Sequence, residues 1–265
     1  MAQFSTEVRA AGQPTPVILR PWDFSFLRHG FMTREGGLSG GLYASFNLAQ
    51  WVGDELSAVR ANWKLWHALY PGMRVARLTQ VHGNQVHSVD DDCNQTRAGD
   101  GMVTSAAGIA LAVFSADCVP VLMVDPERRV AGALHSGWRG TLAQIALEGV
   151  RAMTGLGAVP SAIKVALGPA IGLCCFEVDA ELGARFIAEI PGARAHSRPG
   201  RPGKMYLDLR GIITSQLIAA GVPADAITVH GPCTRCANDQ FFSRRAAGGA
   251  STGLQMSFIG FAPEN

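Results

Sequence analysis

Residues 109–140 read IALAVFSADCVPVLMVDPERRVAGALHSGWRG. Ile109–Ser115 and Val119–Asp125 are short apolar runs bounded by polar or turn residues, the pattern of buried strands. A turn at Asp125-Pro126 leads into a third run, 129–135. The glycine-bracketed turn Gly137-Trp138-Arg139-Gly140 then leads into a stretch in which Leu142, Ile145, Ala146, Val150 and Met153 share one helical face. Thr141 is a candidate cap for that helix.

Outward from this segment, strand character recurs at 163–167, 227–230 and Gln255–Phe261. Helical spacing recurs at 179–190 and 207–220, the latter closed by Gly221. Strands and helices alternate irregularly, with hairpin-like pairs in the middle, which predicts a mixed-sheet α/β or α+β domain. Residues 1–16 carry Pro14 and Pro16 and are expected to form a poorly ordered lead-in. Residues 17–265 contain no linker or solenoid-length repeat and are expected to form one domain. Within it, 194–204 (RAHSRPGRPGK) is expected to be a surface loop, because its glycines and prolines oppose both helix and strand.

Composition narrows the function classes. The hydrophobic fraction of 48% and charged fraction of 17% over 265 residues suit a globular chain with a sizeable core. A net charge of +2, without runs of like charge, argues against a nucleic-acid or membrane-surface protein. No apolar stretch reaches membrane-spanning length, and no signal peptide is evident. A cytoplasmic location is expected, as a monomer or weak dimer. There the six cysteines are read first as ligands, nucleophiles or core residues.

Three places carry candidate chemistry. His135 ends an apolar strand, and Arg139 follows at a helix start, a setting that suits phosphate. Cys118 lies in the SADCVP break between two strands, where packing alone is a poorer reason for a cysteine, although a buried structural thiol is an alternative. His82 precedes Gly83 in TQVHG, with His87 as a second candidate. Two imidazoles and a thiolate suit zinc and would leave a fourth position open for water or substrate. The ligands are 36 and 17 residues apart, matching no compact metal motif. Cys118 with His135 as base is equally a nucleophile pair. Cys233-Thr234-Arg235-Cys236 is a C-x-x-C without a second C-x-x-C. The adjacent Cys174 and Cys175 would point to opposite faces if extended. All four are read as structural, and Cys93, in DDDCNQ, as exposed.

Taken together, the motifs TREGGLSGGLYASFNLA (33–49), TQVHG (79–83), SADCVPVLMVD (115–125), HSGWRG (135–140), LGPAIGLCCFEV (167–178), YLDL (206–209) and CTRCANDQFFSRR (233–245) resemble the laccase-domain family, also called polyphenol oxidase or YfiH-type. The resemblance implies a single α+β domain, a mixed β-sandwich in a layered α/β/β/α arrangement. It implies zinc on His82, Cys118 and His135, with copper possible. It also implies purine nucleoside chemistry: phosphorolysis of adenosine, inosine and methylthioadenosine, and deamination of adenosine. Within that chemistry Asp117 is the candidate proton shuttle beside Cys118 and His135. Arg139, Arg34 and Asn47 are the candidate contacts to phosphate, ribose or base. The alternatives are a Cys118–His135 hydrolase or amidase acting on a cell-wall precursor, and a copper-dependent polyphenol oxidase. The second is disfavoured, because the chain has seven histidines and no H-x-H pair. The chain departs from the family pattern at Ser136, in lacking the tyrosine of F-F-S-Y-R-R, in Leu254 where arginine is expected, and in Cys236, which is additional to the usual single cysteine.

Overall fold

The computed structural model describes residues 18–90, 93 and 97–264. Two large sheets face each other. One has five strands, in the order Ile18–Leu19, Leu27–Met32, Gln255–Phe261, Ile109–Ser115, Arg74–Ala76. The other has six, in the order Ile227–Val229, Lys164–Leu167, Val119–Asp125, Val130–Ser136, Gly101–Thr104, Val86–Ser88. The decisive segment therefore straddles both layers. Ile109–Ser115 belongs to the first sheet, while the hairpin of Val119–Asp125 and Val130–Ser136 forms the middle of the second.

The residue pattern explains this layering. Successive strand side chains point to opposite faces. Leu111 and Val113 enter the core between the sheets, while Ala110, Ala112 and Phe114 face the outer core with Trp66. In the second sheet Leu122, Val124 and Ala133 face inward, while Val121, Met123 and Leu134 face the helices. Strands covered on both faces must be apolar throughout, hence runs such as IALAVFS instead of alternation. Each fully buried Leu, Ile or Phe contributes about 1.5–3 kcal/mol.

The outer layers are helical. Helix α1 (Leu56–Leu69) packs Trp66 edge-on to Phe258, with ring centroids 5.4 Å apart. Helices α2 (Trp138–Leu142) and α3 (Ile145–Gly155) cover the six-stranded sheet together with α5 (Leu209–Ala219). Helix α4 (Ala180–Glu189) lies against a third, three-stranded sheet. The result is the layered α/β/β/α sandwich, in one domain. Among the described residues no helix is long and apolar enough to cross a membrane.

Several local expectations are corrected. The helix expected from Leu142 onward is two helices, because Gln144 takes a left-handed conformation (φ 61°) between them. The turn 137–140 is itself the start of α2, so Thr141 is not a cap; its Oγ1 donates to the Gly137 carbonyl. The 194–204 loop contains strand Ser197–Pro199, paired antiparallel with Lys204–Leu207. Pro199 is tolerated there because that strand is an edge. Cys93 is buried in the core between the sheets. The lead-in 1–16 lies outside the described residues.

Candidate metal centre and cavity

His82, Cys118 and His135 converge, with one donor atom from each lying within 4.8 Å of the others. His135 sits near the end of a fully buried strand and is itself 2% exposed. Cys118 follows Asp117, whose positive φ of 102° turns the chain between the two sheets. His82 projects from a turn in which it also has a positive φ, 60°. The two imidazoles meet edge to face, with centroids 4.9 Å apart.

Asp100, which is fully buried, organises this triad and was missed in the sequence. Its carboxylate accepts the backbone N–H groups of Val81 (3.1 Å), His82 (3.0 Å) and Gly83 (2.7 Å). It also lies 2.8 Å from His135 Nδ1. An ionised carboxylate only accepts, so Nδ1 carries a proton and Nε2 is the ring nitrogen left to face a metal. Buried metal-binding histidines are oriented by such outer partners. Burial works against the Asp100 charge, but the bonds from His135, Gly83 and Val81 outweigh it and hold the carboxyl below the usual range. An aspartate in A-G-D-G, just before an apolar run, was the only sequence signal.

The glycines of HSGWRG have steric reasons. A Cβ on Gly137 would stand 2.8 Å from Cys118 Sγ and 3.2 Å from His82 Cδ2. One on Gly140 would stand 2.9 Å from the Gly83 carbonyl oxygen. The helix start is pressed against the loops that carry His82 and Cys118, and only glycine allows that approach.

Cys118 and His135 each favour the other's charged form. Burial opposes charge on both groups. The attraction and hydrogen bond between them win, lowering Cys118 to about 6 and raising His135 to about 9. Asp100 reinforces the His135 shift.

The triad lines a cavity of about 670 Å³, within the range of small-molecule sites. Its apolar walls include Phe114, Leu254 and Trp51, and Trp51 is 54% exposed and edge-on to Phe114. Arg77 and Arg244 also line it, with Arg77 over the Trp51 ring at 5.7 Å.

A sequence model of the family described as multi-copper polyphenol oxidoreductase laccase matches residues 28–262. The chain belongs to this family. Within the laccase family, it is 38% identical to purine nucleoside phosphorylase YlmD of Geobacillus stearothermophilus, over 87% of this chain and 89% of that one. It is 34% identical to adenosine deaminase RL5, from an unknown prokaryotic organism, over 82% and 88%. The crystal structure of YlmD from Geobacillus stearothermophilus superposes with a TM-score of 0.86 at 35% identity, covering 96% of this chain and 98% of that one.

The other expected residues of this laccase-family chain are not brought to the cavity wall. Asp117 is spent on structure: Oδ1 accepts from Thr234 Oγ1 and Oδ2 from the Arg245 N–H, both at 2.7 Å. Arg34 donates to the carbonyls of Ala44 and Asn238, both at 2.6 Å, and lies over Phe242. Asn47 is fully buried, bonded to Asp54 and Ala49, and accepts from the Leu254 N–H. Arg139 is exposed and stacks on Trp138. His87 bonds to the Ala98 carbonyl and lies away from the triad. Trp51, Arg77 and Arg244 were not legible, because nothing local distinguishes a cavity-lining arginine or tryptophan from a surface one.

Proposed function

We propose that the chain is a zinc-dependent purine nucleoside phosphorylase with adenosine deaminase activity. Adenosine, inosine and methylthioadenosine are its substrates, together with phosphate. The observation that carries this reading is the convergence of His82, Cys118 and His135 beside a cavity walled by Trp51, Arg77 and Arg244. The names of the relatives agree with it. The donor set fits zinc: two imidazoles and one thiol, with Asp100 holding His135 from behind. No group of three histidines occurs among the described residues, so copper-oxidase chemistry has less support.

Zinc bound by three protein ligands acidifies water and polarises an adjacent substrate atom. The protein's own residues do the rest. Asp100 fixes the His135 tautomer and the 81–83 turn. Trp51 offers an exposed aromatic face for a purine. In phosphorolysis a phosphate oxygen bonds to the anomeric carbon as the bond to the base nitrogen breaks, and the base takes a proton. Arg77 and Arg244, in place of Arg139 and Arg34, supply the cations that hold phosphate there. Asp117 positions the Cys118 loop.

The test is adenosine turnover with and without phosphate, alongside zinc content. Adenine and sugar phosphate should form only with phosphate, and inosine should form in either case. Cys118→Ala should lose one zinc equivalent and both activities together. A Cys118→Ala protein that lacks that zinc yet phosphorolyses adenosine at the wild-type rate would refute the reading. A second reading rests on the Cys118–His135–Asp100 chain, which also has the geometry of a cysteine hydrolase. It requires full activity after the metal is removed.

A further inference from the structure

A cluster of four cysteines lies outside the cavity. Cys174, Cys175, Cys233 and Cys236 place all four Sγ atoms within 4.8 Å of one another. Cys174 and Cys175 do not diverge, because their segment is a turn, with Cys175 and Phe176 N–H groups both donating to the Gly172 carbonyl. A β-bridge between Ala170 and Cys233 lays this turn against the C-x-x-C segment. We propose that these four cysteines bind a structural zinc ion, distinct from the one at His82, Cys118 and His135.

The distances select this reading over disulfides. Zinc–sulfur bonds of about 2.3 Å in a tetrahedron put sulfurs about 3.8 Å apart. Cys236 Sγ lies 3.7 Å from Cys174 Sγ and 3.4 Å from Cys175 Sγ. A disulfide needs about 2.05 Å, and all four are thiols. Four thiolates leave no open position, which marks a structural site, and soft sulfur donors favour zinc over harder cations. Two of the four sulfurs also have donors directed at them. The Gly172 N–H donates to Cys233 Sγ at 3.2 Å, and Arg235 Nη1 lies 3.5 Å from Cys175 Sγ. Cys174 and Cys236 are exposed, giving the ion a way in, while Cys175 and Cys233 are buried. Binding displaces thiol protons and needs no oxidant.

The position gives the ion a task. Thr234, inside the C-x-x-C, donates to Asp117, and Arg245 reaches both Asp117 and the Cys175 carbonyl. The Ile171 N–H donates to the Asp117 carbonyl. Zinc here staples the 170–176 and 233–236 segments behind the loop that carries Cys118.

Full-length His82→Ala/Cys118→Ala/His135→Ala protein, purified anaerobically with zinc present, should retain one zinc per chain. Loaded with cobalt(II) instead, it should show the intense visible absorption and sulfur-to-metal charge transfer of a tetrathiolate complex. Cys233→Ser/Cys236→Ser in the wild-type background should lose one zinc equivalent and keep the other. The proposal is overturned by a triple variant that is folded by circular dichroism and holds no zinc or holds iron in its place. It is equally overturned by mass spectrometry showing these cysteines as disulfides in the anaerobic protein. The cobalt spectrum of the wild type keeps the question decidable if the serine variant does not fold: no tetrathiolate signature refutes the site.

Discussion

Replacing Asp100 with asparagine tests how the triad is held. The carboxylate receives four N–H donors: the backbone groups of Val81, His82 and Gly83, and His135 Nδ1. An amide of the same shape keeps one accepting oxygen and turns an NH2 toward the remaining donors. At least two donors lose their acceptor, at about 1–3 kcal/mol each. The 81–83 turn is half exposed, so water relieves part of this, leaving a loss of about 2–3 kcal/mol. Zinc affinity at the triad should fall about 10–100-fold, as is usual when the partner of a metal-binding histidine is lost. Chelator competition at neutral pH reads the affinity, and urea denaturation of the metal-free protein reads the stability. The acid limb gives an independent check. The folded Asp100 pKa is depressed, so its contribution is present above the unfolded value of about 3.9 and is lost as pH falls through the lower folded value. The stability gap between wild type and Asp100→Asn should therefore narrow only below about pH 4. A variant whose zinc affinity lies within twofold of wild type, or whose gap closes near neutrality, would show that Asp100 does not organise the site.

Gly137→Ala should abolish metal binding at the triad while the sandwich still folds, since the added methyl overlaps Cys118 Sγ and His82; normal zinc retention would contradict that crowding. In the metal-free protein the Cys118 peptide should be alkylated by iodoacetamide with a rate that rises through pH about 6 and then levels. His135→Ala should move that inflection upward, and an unmoved inflection would remove His135 as its cause. Stability from the raised His135 is present in full below its unfolded value of about 6.5 and is lost progressively as pH rises through about 9, so that contribution should be gone from the metal-free protein above that point. Trp51→Ala should lower kcat/KM for adenosine by about 1–3 kcal/mol of lost stacking, roughly 5–150-fold, and an unchanged value would take the purine away from that wall.

The sequence itself determined the buried strands and, through its motifs, the candidate metal set. Uninterrupted apolar runs such as IALAVFS and VPVLMVD require cover on both faces, and two stacked sheets between helices provide it. His82, Cys118 and His135 were legible as a candidate set because two imidazoles and a thiolate suit zinc and their motifs resemble those of the family, although their spacing matches no compact metal motif. The remainder depended on distance in space. Asp100 became part of the site only because the 81–83 turn and His135, which lies 35 residues beyond Asp100 along the chain, fold onto its carboxylate. Arg34 and Asn47 were candidate substrate contacts because polar side chains in a glycine-rich loop fit either role, and Asp117 was a candidate proton shuttle; the structure shows each of them hydrogen-bonded within the fold. The four cysteines were separate pairs in the chain. A turn at Gly172 and a single β-bridge at Cys233 made them one cluster. Local sequence encodes burial and propensity, but convergence of distant side chains is fixed by how strands pair and loops close, and those contacts exist only in the folded chain.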